Sequence, residues 1–389
     1  MSANGNNGVP GGVSFVLTEE QEMIRKLAQD FAVNEIAPKA EHHDRTHEFP
    51  WDIVHKAQEL GLTVMNVPEE YGGLGLNLFE EMLVTEALSW GCSGINLCIG
   101  INNLAALPIL IAGNEEQKQE YLGRLADGKL AAYALTEPGA GSDVIALKAT
   151  ARKEGDEYVI NGAKTFITGA VVADWYTIFA YTDREKGYKG MSAFIVDRNA
   201  PGLSVSKPFD KLGQRASDTA EVILEDVRIP AKNLLGREGD GFLIAMKVFD
   251  KSRPGVAAAA VGVAQRALDE SIQFAKERHT MGKPIYKHQA VGHKIADMAT
   301  NVEAARLLTW QAAVAVDQGH ADIKLASMAK VFAADTAMKT TTDAVQVHGG
   351  YGYIQEYPVE KLMRDAKIFQ IYEGTSEIQK VVITRELFR

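Results

Sequence analysis

Cysteine is scarce in this sequence, and its scarcity excludes two kinds of stabilising site. The 389 residues include two cysteines, Cys92 and Cys98, which do not form a Cys-x-x-Cys pair. A disulfide framework requires several spaced cysteines, and a structural zinc site requires about four ligands, mostly Cys or His. We therefore expect no disulfide framework and no metal site, and we expect both thiols to be packing residues in a reducing compartment.

Positive charge is also in short supply. Lysine and arginine total 41 against 51 aspartate and glutamate residues, which gives a net charge of −10. Because binding to nucleic acid needs a basic face, this balance predicts no nucleic-acid partner. A local basic pocket for a phosphate group stays compatible with it, since net charge is an average.

The sequence also shows little that would hold it in a membrane. Its longest run of small apolar residues, 256–264, is far shorter than the roughly 20 residues of a transmembrane helix. Residues 1–14 are polar and Gly-rich and lack arginine, which predicts a disordered tail and neither a secretory nor a transit peptide. We expect no stable membrane insertion and a cytoplasmic, bacterial-type protein; a mature mitochondrial matrix protein is the alternative.

Three regions with different residue patterns follow, and the first is helical. Residues 15–130 should form an all-helical domain that begins with a capping box between Thr18 and Gln21. Further helices in this domain are expected at 51–60, 78–90 and 115–125.

The middle region, residues 131–238, has a β pattern. Its segments are β-branched and aromatic and are separated by Gly, Pro, Asp and Asn. Since no helices alternate with them, we expect an antiparallel β domain and no parallel nucleotide-binding sheet. Within this domain, Asn161-Gly162 predicts the type I′ turn of a hairpin.

Long helices return in residues 239–389. Short connections between long helices are typical of an antiparallel bundle, so the fold class is α+β, with a helical domain, a β domain and a four-helix bundle in that order. Helices of the bundle are expected at 241–278, 288–318, 322–347 and from about 377, where Ser376 and Gln379 would form a capping box.

The segment IYEGTSEIQ, 371–379, contains a candidate catalytic carboxylate. Glu373 follows an apolar and aromatic run and precedes Gly374, which permits close backbone approach to a ligand. Partial desolvation there would raise the pKa of the carboxyl group towards the range of a useful general base. The residues alone leave an exposed glutamate in a polar turn as the alternative.

Two further segments could surround a phosphate. Residues 132–143, AYALTEPGAGSD, form a Gly- and hydroxyl-rich loop, and residues 276–289 concentrate basic side chains in an acidic protein. The loop is not a dinucleotide fingerprint, because position 144 is Val144. A plain turn and a solvated helix end are the alternatives. Asp250 and Arg253 lie at i, i+3, a spacing typical of a structural ion pair.

The order of these segments is more informative than any one of them. YALTEPGAGSD, KTFITG, FDKSRP, ERHTMGKPI, QVHGGYGY, EKLMRDAKI and IYEGTSEIQ closely resemble, in this order, the acyl-CoA dehydrogenase family, and most resemble its medium-chain and short-chain members. The likeness spans residues 17–388. It implies the same helical, β and helical order that the patterns predict.

The resemblance also implies roles for individual residues. Glu373 matches the catalytic base, and Phe166 matches an aromatic residue against the flavin ring, where many relatives have tryptophan. The residues that match FAD contacts are Tyr133, Leu135, Thr136, Gly141, Ser142, Phe166, Ile167, Thr168, Arg278, Thr280, Gln289, Gln346, Gly349, Gly350, Thr375 and Glu377. Those from Arg278 to Gly350 resemble segments that reach the FAD of a neighbouring subunit. The residues that match acyl-CoA contacts are Ser142, Asp250, Arg253, Tyr372 and Gly374.

The implied activity is α,β-dehydrogenation of a short- or medium-chain acyl-CoA to trans-2-enoyl-CoA, as in fatty acid β-oxidation. Glu373 would take the α-proton and FAD N5 the hydride, with an electron-transfer flavoprotein as acceptor and a homotetramer as assembly. The acyl pocket would be lined partly by residues 95–103. An acyl-CoA oxidase or a glutaryl-CoA-type dehydrogenase would use the same site. A DNA-binding flavoprotein without dehydrogenase activity is disfavoured by the acidic balance and by the presence of Glu373.

Overall fold

The computed structural model describes residues 16–389, so the predicted tail at 1–14 lies outside the described residues. The N-terminal region is helical, as predicted. The predicted capping box is present: the Thr18 hydroxyl accepts from the Gln21 N–H at 3.2 Å, and the Gln21 side chain accepts from the Thr18 N–H at 3.1 Å. The helices of this region are α1 (Glu19–Phe31), α2 (Ala40–Thr46), α3 (Trp51–Glu59), α4 (Leu78–Ala112), α5 (Glu115–Gln117) and α6 (Gly123–Ala126).

Helix α4 continues well beyond residues 78–90, where the sequence pattern predicts it. Extended backbone at Cys92 (φ −169°, ψ 120°) kinks the helix, and the pattern detects only the half before the kink. By length and composition alone α4 could cross a membrane, but 67% of its most apolar stretch is buried inside the protein. That burial is typical of the core helix of a globular fold.

The middle region forms one largely antiparallel sheet. Its strands are β1 (Ala131–Ala134), β2 (Thr150–Glu154), β3 (Glu157–Thr168), β4 (Trp175–Tyr181), β5 (Met191–Asp197), β6 (Leu203–Val205), β7 (Thr219–Pro230) and β8 (Leu234–Leu235). They lie in the order β6-β7-β3-β2-β4-β5-β8, and β1 pairs with β4. Pairing is antiparallel except along β4, where β1 and the first residue of β2 pair in parallel. Every residue of β4 is buried, so both faces of the sheet are covered there.

The predicted turn at Asn161-Gly162 is wrong. Both residues lie inside β3, which pairs with β7 on both sides of them, and the chain turns instead at residues 155–156 between β2 and β3. Gly162 has φ 149° at a register shift, and a Cβ there would lie 2.6 Å from the Cβ of Ala149. The glycine therefore serves a bulge within a long strand.

The C-terminal region is helical again and forms the predicted bundle. Its elements are α7 (Gly241–Glu277), a short hairpin of β9 (His279–Thr280) and β10 (Lys283–Pro284), α8 (Gln289–Asp317), α9 (Ile323–His348), α10 (Val359–Ala366) and α11 (Ser376–Leu387). Helices α7, α8 and α9 pack on one another and α11 packs on α9. Fully buried alanines such as Ala260 and Ala333 allow the close approach of α7 and α9. The candidate site lies where this bundle meets the sheet.

Candidate active site

Glu373 lies in the turn between α10 and α11, and its backbone is left-handed. Its φ is 52°, and the following Gly374 has φ 93°. Residues with a side chain rarely adopt this φ, and a Cβ on Gly374 would also lie 2.6 Å from the Gln379 amide nitrogen, so the position favours glycine. Left-handed backbone costs a residue with a side chain about 1–2 kcal/mol. Such strain, held in place by surrounding structure, is a reason to look for function at Glu373.

The helix after this turn begins one residue earlier than predicted, and its cap is different. The Thr375 hydroxyl accepts from a backbone N–H of the first turn at 3.2 Å, whereas the Ser376 hydroxyl donates to an aspartate of α9 at 3.1 Å. Gln379 turns back and donates to the carbonyl oxygens of Glu373 at 3.2 Å and of Gly374 at 2.9 Å. The predicted capping box is therefore wrong, because Gln379 orients the turn that carries Glu373.

Two other helices also hold this turn. Ser252 of α7 donates a hydrogen bond to the Glu373 carboxylate. Lys330 of α9 donates to the Gly374 carbonyl oxygen at 2.7 Å. Neither residue is among the predicted site residues. A lysine within the alanine-rich segment SMAKVFAAD is the one sequence signal that could have drawn attention to α9.

Burial has the largest influence on the charge of Glu373. The side chain is half-buried, and desolvation raises the pKa of its carboxyl group above the ordinary value. The Ser252 hydrogen bond and the positive charges of Lys330 and Arg253 oppose that rise. The carboxyl group is thus a stronger base than a solvated glutamate, while three groups favour its ionised form.

Asp250 and Arg253 lie on α7, close in sequence to Ser252, and the ion pair between them is loose. The closest nitrogen and oxygen atoms are 4.0 Å apart, and Arg253 also donates a hydrogen bond to the Ser327 hydroxyl at 3.4 Å. Burial lowers the pKa of Arg253 and raises that of Asp250. Within residues 16–389, the buried Arg253 Nε has no hydrogen-bond partner. Arg253 therefore keeps hydrogen-bonding capacity that a ligand could use.

Tyr133, at the end of β1, connects the sheet to this group. Its ring centroid lies 6.3 Å from that of Phe249 on α7. Burial, together with the nearby charge of Glu373, raises the pKa of the Tyr133 hydroxyl. That hydroxyl is buried and has no hydrogen-bond partner in the described part of the chain. Burial likewise raises the pKa of Tyr372, the residue before Glu373.

The two segments predicted to hold the flavin lie side by side. The Thr165 N–H donates to the Thr136 carbonyl oxygen at 2.9 Å, and the buried Lys164 ammonium contacts Glu137 at 2.7 Å. These contacts join the loop after β1 to the end of β3. Phe166, at φ 57°, is 65% exposed there and offers an apolar face. The other predicted members of the two segments are Leu135 and Ile167, which are buried, Thr168, which is half-buried, and Gly141 and Ser142, which are exposed.

Four of the eight remaining predicted cofactor residues line a separate cleft of about 650 Å³. It lies between the end of α7, the β9–β10 hairpin and the end of α9, and its lining includes no residue of 133–142 or 166–168 in the described part of the chain. The predicted residues that line it are Arg278, Thr280, Gly349 and Gly350. Gln289 and Gln346 are exposed and adjacent in sequence to lining residues, while Thr375 and Glu377 stay at the start of α11. One chain thus holds the predicted cofactor residues in two places.

Side chains outside the predicted set complete the second cleft. His288 lies 3.0 Å from the Thr280 hydroxyl through its Nε2 atom. The Arg278 guanidinium lies 5.4 Å from the centroid of the Tyr351 ring, and Met281 projects from the hairpin with 94% of its surface exposed. A cation over an aromatic ring is a preorganised donor for a phosphate group.

Three family models match the chain in consecutive stretches. The model described as acyl-CoA dehydrogenase, N-terminal domain, matches residues 18–129. The model for the middle domain matches residues 132–227, and that for the C-terminal domain matches residues 239–388. These stretches follow the helical, β and helical order of the structure.

Known proteins match nearly the whole chain. The 3-(aryl)acrylate reductase of Clostridium sporogenes is 47% identical over 375 residues, which cover 96% of this chain and 99% of that protein. A chain from the structure of the electron transferring flavoprotein of Acidaminococcus fermentans, described in relation to flavin-based electron bifurcation, superposes with a TM-score of 0.95 at 46% identity, covering 97% of this chain and 100% of that one. Butyryl-CoA dehydrogenase from Megasphaera elsdenii superposes with a TM-score of 0.94 at 42% identity, with the same coverage of 97% and 100%.

Proposed function

The chain belongs to the acyl-CoA dehydrogenase family of flavoprotein oxidoreductases, and from that premise we propose that it dehydrogenates a short- or medium-chain acyl-CoA to trans-2-enoyl-CoA. The observation that carries the proposal is the half-buried Glu373 carboxylate, held in a left-handed turn beside Arg253 and Tyr133. A general base for an α-proton needs this combination of raised basicity and fixed direction.

Two groups of residues on the chain have the chemistry to bind parts of FAD. In the β domain, the exposed Phe166 ring and the Gly- and Ser-containing loop after β1 suit a flat apolar ring with polar edges. In the second cleft, Arg278 and the Gly349-Gly350 pair suit a phosphate-bearing portion of a neighbouring subunit's cofactor. When bound, FAD supplies the acceptor for the hydride that leaves the β-carbon.

Glu373 provides the other half of the chemistry by taking the α-proton. The α C–H of a thioester is weakly acidic, so negative charge that develops on the carbonyl oxygen needs hydrogen-bond donors. Among residues 16–389, the Glu373 N–H has no acceptor, which leaves it available as such a donor. In comparable sites the removal of one donor lowers the rate by about 10²–10³-fold.

The same groups would serve the reverse reaction, which is the second candidate function. The Clostridium sporogenes relative is named a reductase of 3-(aryl)acrylates. In reduction of an enoyl-CoA, protonated Glu373 would return the proton to the α-carbon, the microscopic reverse of its role as base. The electron donor or acceptor would then decide the direction of turnover.

An electron-transfer flavoprotein is the proposed electron partner, and a homotetramer is the proposed assembly. The match to a chain from a structure described for an electron transferring flavoprotein supports the first. The separation of cofactor residues into two places on one chain supports an assembly in which neighbouring subunits share FAD. A cytoplasmic location is proposed with them, for a bacterial-type protein.

Anaerobic titration of the purified holoenzyme with acyl-CoAs of increasing chain length tests the proposal. We expect the flavin absorbance of the wild type to bleach with short or medium acyl-CoAs. We expect Glu373→Gln to keep FAD and acyl-CoA binding but to lose bleaching by several orders of magnitude, because the amide cannot accept the α-proton. The exposed Glu116 provides a matched control, and Glu116→Gln should bleach like the wild type.

Normal bleaching in Glu373→Gln would place the base elsewhere. Absence of bleaching in the wild type with every saturated acyl-CoA, combined with oxidation of the reduced protein by enoyl-CoA, would favour the reductive direction. Formation of hydrogen peroxide in air without an electron-transfer protein would identify an acyl-CoA oxidase instead.

A further inference from the structure

Lys330 is a cation inside the helical bundle. Its side chain has no exposed surface, and its neighbours along α9 include the fully buried alanines Ala329 and Ala333. Removing an ammonium group from water costs several kcal/mol unless the protein supplies charges and hydrogen bonds in return. Packing among alanines therefore does not explain why a lysine occupies this position.

The hydrogen bond of Lys330 goes to the turn that carries the base. Its Nζ donates to the Gly374 carbonyl oxygen at 2.7 Å, and Gln379 donates to the same oxygen at 2.9 Å. A carbonyl oxygen with two donors is fixed in direction, and this fixes the plane of the Gly374–Thr375 peptide. The left-handed conformations of Glu373 and Gly374 are stabilised by this pair of contacts.

The charges that act on Lys330 come from α7, from α9 itself, from α11 and from the turn before α11. Burial lowers the pKa of the Lys330 ammonium group to about 8, so the group is charged mainly at neutral pH and below, and among the nearby charges Glu373 does most to oppose this fall. Asp335 of α9 and Glu377 of α11 contribute less attraction, and Arg253 of α7 repels it. Because the carbonyl acceptor is neutral, Glu373 is the main charge that compensates the buried ammonium group.

We propose that Lys330 is a positioning residue for the reaction, which holds the Glu373–Gly374 turn through the Gly374 carbonyl and keeps a positive charge beside the Glu373 carboxylate. The inference rests on the proposed role of Glu373 as base. Burial favours the neutral carboxylic acid, which cannot accept a proton, so a buried base needs a compensating charge to be ionised at neutral pH. Lys330 supplies this charge without lying at the reacting atoms.

Two substitutions separate the two effects. Lys330→Gln keeps a donor for the Gly374 carbonyl but removes the charge, and Lys330→Met removes both. We expect the acidic limb of the kcat/KM profile to move to higher pH in both variants, and kcat/KM at a fixed pH on that limb to fall by about tenfold or more. At the alkaline plateau, Lys330→Gln should approach the wild-type kcat, whereas Lys330→Met should stay lower because its turn is no longer held.

A second readout isolates proton removal from hydride transfer. Acetyl-CoA has α-hydrogens and no β-carbon, so in D₂O its α-hydrogens can exchange through Glu373 without any flavin reduction. Mass spectrometry of acetyl-CoA incubated with each holoenzyme gives the exchange rate against pH. We expect the same displacement of the acidic limb for Lys330→Gln and Lys330→Met, with flavin absorbance and the melting temperature confirming folded, loaded protein.

Folded variants with the wild-type acidic limb in both assays would overturn the proposal. If neither neutral variant folds, Lys330→Arg provides the test, because arginine retains both the charge and the donor. We then expect the acidic limb to stay at the wild-type pH, and a displaced limb would contradict the role of the charge. A wild type that neither bleaches with acyl-CoA nor exchanges α-hydrogens would instead contradict the proposed function itself.

Discussion

Ser252 influences the pKa of the Glu373 carboxyl group. The hydroxyl donates to the carboxylate, an interaction that exists in full only with the ionised form. It therefore lowers the pKa that burial has raised. A hydrogen bond to a charged group contributes about 1.5–3 kcal/mol, and about 1.4 kcal/mol corresponds to a tenfold change in an ionisation equilibrium.

Ser252→Ala should consequently raise the pKa of Glu373 further and lower kcat/KM at acidic pH by about tenfold or more. The hydrogen bond stabilises the ionised carboxylate relative to the neutral acid. Without the donor, the neutral acid of Glu373 persists to higher pH, so its pKa rises. The acidic limb of kcat/KM should move to higher pH, with little change on the alkaline side. Steady-state kinetics across pH measures this displacement. Ser252→Thr keeps the hydroxyl and is the matched control; an unmoved limb in Ser252→Ala would contradict the assignment.

At this scale, the sequence singles out Glu373, the proposed base, but not the residues that contact its turn. Glu373 could be found because its neighbours Tyr372 and Gly374 carry the signal locally. Ser252 and Lys330 lie 121 and 44 residues away from the groups they contact. Such contacts depend on how α7 and α9 pack against the turn, and no local pattern encodes that packing.

A buried ion pair joins two elements beneath the proposed flavin site. Lys164 of β3 has no exposed surface and donates to Glu137, in the loop after β1, at 2.7 Å. The Glu137 carboxylate also accepts from backbone N–H groups that include that of Ala149 at 3.0 Å. The Glu137 carboxylate, with all these partners, therefore holds the loop after β1 in a fixed position against β3.

Lys164→Met should destabilise the protein by about 3–5 kcal/mol, because it leaves the Glu137 carboxylate buried without its cation. The loop should also lose its position, so FAD should dissociate more readily. Thermal unfolding and the ratio of flavin to protein absorbance measure the two effects. Lys148→Met, on an exposed side chain of the same loop, should change stability by less than about 0.5 kcal/mol. Equal stability of both variants would show that the ion pair is dispensable.

Element types are predicted well, while their ends and turns are not. The three regions follow from residue periodicity, since helix and strand patterns are local. The Asn161-Gly162 pair and the Ser376–Gln379 pair were misassigned, because each has a second structural use: a bulge in one case and a contact to a preceding turn in the other. The continuation of α4 past Cys92 was missed because the kink interrupts its pattern.

On the scale of the whole molecule, the cofactor residues of one chain are divided between two places. Phe166 lies at the end of β3, beside the loop after β1, whereas Arg278 lines the cleft at the end of α7. If one FAD molecule contacts the first place on one subunit and the second on its neighbour, then cofactor retention depends on association of the subunits.

Arg278→Ala should therefore weaken FAD retention although it lies outside the Glu373 site. Loss of a charged donor to phosphate should lower affinity by about tenfold or more. Gel filtration with flavin absorbance gives occupancy and oligomeric state in one run. Lys276→Ala, an exposed cation two residues earlier, should keep full occupancy. A monomeric Arg278→Ala protein with a full complement of FAD would contradict subunit sharing.

Because several elements hold the Glu373 turn, the orientation of its carboxylate depends on the folding of the whole molecule. The proposed base, Glu373, is held by contacts from α7, α9 and α11, and Tyr133, whose pKa it influences, comes from β1. Contacts between segments so far apart in sequence require that long loops close first. The Glu373 carboxylate is therefore correctly oriented only when the sheet and the bundle have packed together. Disruption of either one would misplace the carboxylate even if every residue of the site remained unchanged.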